Sequence, residues 1–548
     1  MLKLRTYIIA LIIVLSLAVI TLAGELDGYL VILHSNDVHG RAYTTDQFWG
    51  YAGIKQAKDN LISQGADVLL LDAGDYSQGT PIVNLTQGAN AFDFMNLAGY
   101  DAATLGNHEF DWGSDNLFQN AERAKFKILC CNILRSPGDE LIFEPRTIFT
   151  LKNGDKIGVF GLETPECATK VHPDKSKGVR FLGEKDMYNA AQTQIAELRQ
   201  NDCKLVIALG HLGDSDETAP NRSIDLIANT RGIDLFIDGH SHTRIPNGSK
   251  EGKTLRVSTG EFSKSLGYVA YKLNKDGEYE FVKCGLYDRN NIFESIMAAA
   301  NLPMVDQELK AHIDGINEEI VKELSKPSAK TTVDLNGERN PGNRTEETNL
   351  GDFVADAVLW EGQQCDKDVV VGIVNGGSIR AGLKSGDISM IDLKTCCPYG
   401  NTVCVLAVKG SELLEAMETA TYTSPDELGA FPQISGMEMV VDTTSPWVPG
   451  EQYPDSTYYA PKAPGSRVTI TSVGGKPFDP EAIYKIATAD FLAAGGDTYY
   501  AFKYGFRTAG ENTGILIEDA MVEYTTNVLG GVIDEKYAEP QGRIKIIK

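Results

Sequence analysis

Basic side chains are scarce in this chain. Lysine and arginine total 51 against 75 aspartates and glutamates in 548 residues, a formal net charge of −24. Phosphate backbones require clustered cations, so nucleic-acid polymers are excluded as partners. Small anionic substrates remain open, because divalent ions in a site would dominate the local field. Cysteine is sparse too: nine residues, an odd count, with no C-x-x-C spacing for zinc or redox chemistry. Buried thiols acting as small hydrophobes are expected rather than a disulfide framework, and Cys397 with Cys404 is the one bridge to check.

Long apolar runs are nearly absent as well. One spans residues 8–23, IIALIIVLSLAVITLA, behind Lys3 and Arg5. It reads as a secretory signal over residues 1–23, ending small-x-small at Thr21-Leu22-Ala23. An uncleaved anchor is the alternative, since a span needs at least about 17 apolar residues, and only then is a membrane a partner. Either way the protein is exported: periplasmic, extracellular or on the cell surface. The C-terminal EPQGRIKIIK shows no second span and no lipid-anchor signal.

Hydrophobic content of 42% and charge of 23% are ordinary for a globular chain. At about 150 residues per domain, this length allows two to four domains. Residues 24–302 alternate short apolar runs with helical stretches such as NAAQTQIAELRQ (189–200), predicting a layered, mixed-sheet α/β domain. PMVDQELKAHIDGINEEIVKELSKP (303–327) has apolar residues at helical spacing between two prolines and predicts a connecting helix. Residues 328–548 read as a second α/β domain without a single histidine, and the proline-rich stretch 445–465 as a long irregular loop.

Chemistry concentrates in five polar clusters: SNDVHG (35–40), DAGDYSQGT (72–80), LGNHEFDWG (105–113), GHLG (210–213) and DGHSHT (238–243). Each closes a run such as YLVILHS (29–35), ADVLLLDAG (66–74), KLVIALG (204–210) or DLFIDG (234–239), short and β-branched enough to be buried strands. In open α/β sheets, ligands collect just past the carboxyl ends of such strands. Five of the eight histidines fall in these clusters, too many to be packed core residues. Asp37, His39, Asp75, Asn107, His211, His240 and His242 therefore form a candidate metal site. Oxygen and imidazole donors without thiolate favour Mn²⁺, Zn²⁺ or Co²⁺. So many ligands suit two ions, which clamp the attacking and leaving oxygens of an in-line displacement when about 3.5–4 Å apart.

The series D-x-H, GD, GNHE-x-D, GH, GHxH resembles the calcineurin-like metallophosphoesterases, and the flanking sequence resembles their 5′-nucleotidase branch, which includes UDP-sugar hydrolases. The resemblance implies that Asp37, His39, Asp75 and His242 hold one ion, and Asp75, Asn107, His211 and His240 the other, with Asp75 bridging. It makes His108 the catalytic histidine, held by Asp111. An imidazole paired to a carboxylate keeps its charge more readily and can stabilise or protonate a leaving oxygen. Relatives often carry Gln or Asn at the position of His242, which leaves the metal preference open.

The carboxy-terminal half offers NGGSIRAGL (375–383), whose glycines, Gly377 among them, could let backbone approach a ligand and whose Arg380 could fork onto a phosphate. DFLAAGGDTYY (490–500) places Phe491 and Asp497 across a Gly-Gly bend, an aromatic face for a base and an acceptor for sugar hydroxyls. The resemblance implies nucleotide contacts by Arg344, Asn375 and Arg380, a base stack on Phe491 and Tyr399, and a ribose contact by Asp497. It also implies that the second domain rotates about the connector. The expected activity is metal-dependent hydrolysis of nucleoside 5′-monophosphates. A nucleotide pyrophosphatase, a UDP-sugar hydrolase or a cyclic phosphodiesterase is the enzymatic alternative. A nucleotide- or metal-scavenging binding protein is the non-enzymatic one.

Overall fold

The computed structural model describes residues 26–171, 175–215, 218–288, 302–454, 456–504 and 511–548. The leader expected over residues 1–23 lies outside them. No helix among the described residues is long and apolar enough to cross a membrane.

Two six-stranded sheets build the amino-terminal half. In the first, Tyr29–Ser35 lies parallel to Asp67–Asp72, which is parallel to Ala102–Ala103, while Ser265–Leu273 closes the other side antiparallel. In the second, Cys203–His211 runs parallel to both Lys156–Glu163 and Leu235–Asp238. The four apolar runs read as strands in the sequence are these strands. Their side chains are apolar on both faces because both faces are covered. Leu30 and Ile32 turn towards Ile157, Val159, Leu205, Ile207 and Leu209 of the facing sheet. Val31 and Leu33 turn outward onto helix residues such as Ile54, Phe92 and Phe94. On the far side, Val206, Ala208 and Phe236 pack under Met187, Ile195 and Leu198 of the helix Glu184–Gln200. The result is a four-layer helix–sheet–sheet–helix stack. Truncating any of these leucines to alanine costs about 2–5 kcal/mol.

The helix expected over 303–327 spans Gln307–Leu324, with the Asp306 side chain accepting the Leu309 amide as N-cap. Leu309 and Ile313 are buried in the amino-terminal core, and Lys55 pairs with Asp306 at 2.6 Å, so the helix is fastened to the first half. The second half follows with the strand Pro327–Thr331. Its main sheet orders Pro432–Ser435, Val369–Asn375, Ile483–Ala489, Thr402–Lys409 and Glu511–Leu516 around the buried helix Asn349–Cys365.

Two expectations are corrected. The stretch 445–465 is not wholly irregular: Pro449–Gln452 and Tyr459–Pro461 pair antiparallel. Prolines there sit on a ribbon with few ladder bonds to lose. The Cys397–Cys404 bridge does not form. All nine cysteines are thiols, Cys397 caps the helix Met390–Cys396 with its sulfur 3.8 Å from that of Cys396, and Cys404 sits within a strand opposite Thr488.

Candidate metal centre and substrate pocket

Every ligand candidate of the first half leaves the carboxyl end of a parallel strand, and the loops that follow are locked together by backbone bonds. Asp37 donates its amide to Gly74 O and His39 to Asp75 O, each at 2.9 Å. Glu109 ties the remaining loops: its carboxylate accepts the amides of Asp75, Tyr76, Ser77 and Gly106 at 2.7–2.9 Å. Burial, then the charge of Asp75, raises the Glu109 carboxyl to about 7. Five of the ligand positions, Asp37, His39, Asp75, His240 and His242, carry left-handed φ angles of 46–80°. Such backbone is costly outside glycine and gathers at functional sites. Gly106 admits the close approach: a Cβ there would lie 2.2 Å from Asp75 Oδ1.

Asp37, His39, Asp75 and His242 offer ligand atoms within 4.8 Å of one another. Asp75 Oδ2 is also 3.1 Å from His211 Nε2, so this carboxylate joins that group to the other half of the centre. There His240 Nδ1 stands 3.0 Å from Asn107 Oδ1.

Whether these residues fit a cation is decided by their protons. Each of the four histidines donates one ring nitrogen outward: His39 Nδ1 to Gln78 Oε1 at 3.3 Å, His211 Nδ1 to Ala73 O at 2.7 Å, His240 Nε2 to Glu166 Oε2 at 2.8 Å, His242 Nδ1 to Glu261 Oε2 at 2.5 Å. In a neutral imidazole the other nitrogen is then a bare lone pair aimed inward. Burial, then Arg380, lowers the His39 pKa well below its ordinary value, whereas for His211 burial is outweighed by the charge of Asp75, which raises it. Yet His39 Nε2 and His242 Nε2 face each other at 3.1 Å, while His211 Nε2 faces Asp75 Oδ2 at the same distance. Lone pairs so arranged repel unless a positive centre lies among them. The donor set fits divalent cations, and the outward acceptors fix tautomer and ring orientation as second partners of metal-bound histidines do.

Above the centre lies a cavity of about 320 Å³. Asp75, Asn107, His108, Asp111, His240 and His242 line its floor, whereas Asp37, His39 and His211 are buried beneath. The carboxy-terminal half supplies the roof with Arg344, Asn375, Gly377, Arg380, Tyr399, Phe491 and Asp497. All the residues singled out in that half thus meet in one cavity. His108 Nδ1 donates to Asp111 Oδ2 at 2.8 Å, and His108 Nε2 stands 4.0 Å from Asp75 Oδ2. Burial lowers the His108 pKa, but Asp111 and then Asp75 outweigh it, leaving the group raised. Burial, then the neighbouring Arg339 and Arg380, push the Arg344 guanidinium down to about 9. Phe491 lies over Gly496, where a Cβ would meet its ring at 2.1 Å.

Two of these residues also make contacts within the protein. Gly377 makes room for protein backbone, its amide donating to Gly429 O at 2.7 Å. Tyr399 is stacked on His108 and accepts from Arg380 Nη1. Sequence reasoning missed Gln78, Glu109, Glu166 and Glu261, which act through ligands, and Arg339, which forks onto Glu427 and lies 3.3 Å from His242 Nδ1. Glu109 and Gln78 had a signal, their places inside LGNHEFD and DAGDYSQGT.

Comparison with known proteins agrees with the geometry. Residues 30–244 match the calcineurin-like phosphoesterase family, and residues 327–504 match the 5′-nucleotidase C-terminal domain. The 5′-nucleotidase of Vibrio cholerae is 30% identical over 94% of this chain and 93% of its own length. A trifunctional nucleotide phosphoesterase protein of Bacillus subtilis is 29% identical over 94% of this chain, which spans only 35% of that relative's length. The crystal structure of a 5′-nucleotidase precursor from Thermus thermophilus is 26% identical and superposes with a TM-score of 0.77 over 95% of this chain and 99% of its own. The chain belongs to the 5′-nucleotidase family, a metallophosphoesterase domain joined to a 5′-nucleotidase C-terminal domain. Its chemistry is that of a hydrolase acting on phosphate esters.

Proposed function

We propose that this chain is an exported, dimetal 5′-nucleotidase that hydrolyses nucleoside 5′-monophosphates to nucleoside and phosphate. The observation that carries the reading is the single cavity, with metal-facing imidazoles and His108 on its floor and arginines, Phe491 and Asp497 on its roof.

In this reading Asp37, His39, Asp75 and His242 would hold one ion and Asp75, Asn107, His211 and His240 would hold the other. Two such ions supply Lewis-acid activation of water and neutralise charge on phosphoryl oxygens. Arg344 and Arg380 grip the phosphate through planar forks. Phe491 and Tyr399 offer apolar faces to the base, and the Asp497 carboxylate accepts from sugar hydroxyls. His108, oriented by Asp111 at Nδ1, presents a proton at Nε2 to the negative charge that develops on the leaving alkoxide.

Phosphate release tests the proposal. In Mn²⁺, AMP should be hydrolysed faster than ADP, UDP-glucose, a 2′,3′-cyclic nucleotide or thiosulfate, and EDTA should abolish turnover. A metal-loaded preparation that binds AMP and releases no phosphate would instead indicate a scavenging protein. Export is tested by the N-terminus of the secreted product, expected at Gly24.

A further inference from the structure

One contact between the halves lies beside the sugar end of the cavity. The short helix Cys167–Lys170 of the amino-terminal half meets the loop carrying Asp497. Asp497 donates its amide to Thr169 O at 2.9 Å, and Lys170 Nζ stands 3.3 Å from Asp497 Oδ1. The other carboxylate oxygen, Oδ2, accepts from Asn375 Nδ2 at 2.8 Å. Lys170 Nζ also lies 5.6 Å from the centre of the Tyr458 ring. Asp497 is held at φ 51°, in the left-handed region, and its carboxylate lies at this meeting point. Lys170, Asn375, Phe491 and Asp497 all line the one cavity.

The chemistry of the pair is informative. A carboxylate can only accept and an ammonium can only donate, whereas each sugar hydroxyl does both. A carboxylate alone satisfies the protons of a cis-diol and leaves its lone pairs without donors. A carboxylate and an ammonium side by side satisfy both, one hydroxyl donating to Asp497 while accepting from Lys170. We propose that Lys170 reads the 2′,3′-diol of ribose jointly with Asp497, a specificity-determining role that selects ribonucleotides over 2′-deoxyribonucleotides and is complete only when the two halves meet. This rests on the nucleotidase reading above. A site built to bond a hydroxyl rejects the analogue lacking it, because its own buried polar groups are then left unpaired.

The test compares adenosine with 2′-deoxyadenosine by titration calorimetry, and AMP with dAMP by kcat/KM, for the wild type, Lys170→Met and Lys170→Arg. The wild type should favour the ribose form by about tenfold or more, the scale of one hydrogen bond to a charged group. Lys170→Met, in which Asp497 still accepts from the diol, should lower that ratio at least about threefold, and Lys170→Arg, which keeps a charged donor, should retain most of it. Thermal melting of each variant checks that it is folded, and Lys170→Gln replaces Lys170→Met if the latter is not. An unchanged ratio in Lys170→Met, or an equal loss for both sugars, overturns the assignment and leaves Lys170 only joining the halves. Such a result with AMP still hydrolysed sinks the lysine alone. A wild type that binds neither nucleoside and spares AMP sinks the nucleotidase reading and this proposal with it.

Discussion

The phenol ring of Tyr399 lies on the imidazole of His108, ring centres 5.4 Å apart and planes within 20°. The two residues come from different halves of the chain, so a single stack joins the roof of the cavity to the group proposed to donate the proton. Its hydroxyl accepts from Arg380, which places the phosphate-gripping arginine in the same arrangement. Replacing Tyr399 by Phe keeps the ring and should change kcat/KM for AMP by less than about threefold, whereas Tyr399→Ala, losing ring and stack, should lower it about tenfold or more. Steady-state kinetics of the two variants give the comparison, and equal losses would place the effect in the hydroxyl.

Asp75 and His108 should separate cleanly. Asp75→Ala removes the carboxylate that faces both parts of the centre and should lose bound metal and activity together. His108→Ala should keep metal, read by elemental analysis of the folded protein, while turnover falls by about 10²–10⁴. Wild-type AMP hydrolysis by the His108 variant would remove it from the mechanism.

Glu166 and Glu261 accept from His240 and His242 and hold their rings in place. Glu166→Gln and Glu261→Gln should weaken metal binding by about 10–100-fold, with the fold intact. Competition against a chromophoric chelator measures this. Unaltered affinity in both would mean the rings need no outside anchor.

A pH effect arises from a buried histidine outside the ligand set. His34 is fully buried against Gly267 with neither ring nitrogen hydrogen-bonded, and burial lowers its pKa from 6.5 to about 3. The unfolded chain takes up a proton at 6.5 while the folded chain refuses it until about 3. The neutral ring is therefore tolerated above pH 6.5, and stability is lost as pH falls from there towards 3. The slope is about 1.4 kcal/mol per pH unit. Urea unfolding at pH 7 and pH 5 should show this loss in the wild type and a smaller one in His34→Phe.

Strands such as Tyr29–Ser35 were legible because burial on both faces leaves an unbroken apolar run. The ligands were legible because chemistry forces Asp, His and Asn to the ends of those runs. What escaped was whatever acts across the fold. Glu166 lies 74 residues from His240 and nothing in TPECATK marks it as a partner. The ribbon at Pro449–Gln452 was hidden by prolines that usually signal irregular chain, and Cys397 and Cys404, near in sequence, are kept apart by a helix end and a strand interior.

The left-handed backbone at Asp37, His39, Asp75, His240 and His242 has one more consequence. Loops held uphill by their neighbours are the ones whose energy drops most when cations draw the ligands together, so occupancy should register as heat resistance. The melting temperature of the whole protein, followed against added Mn²⁺, then becomes a gauge of loading that needs no substrate.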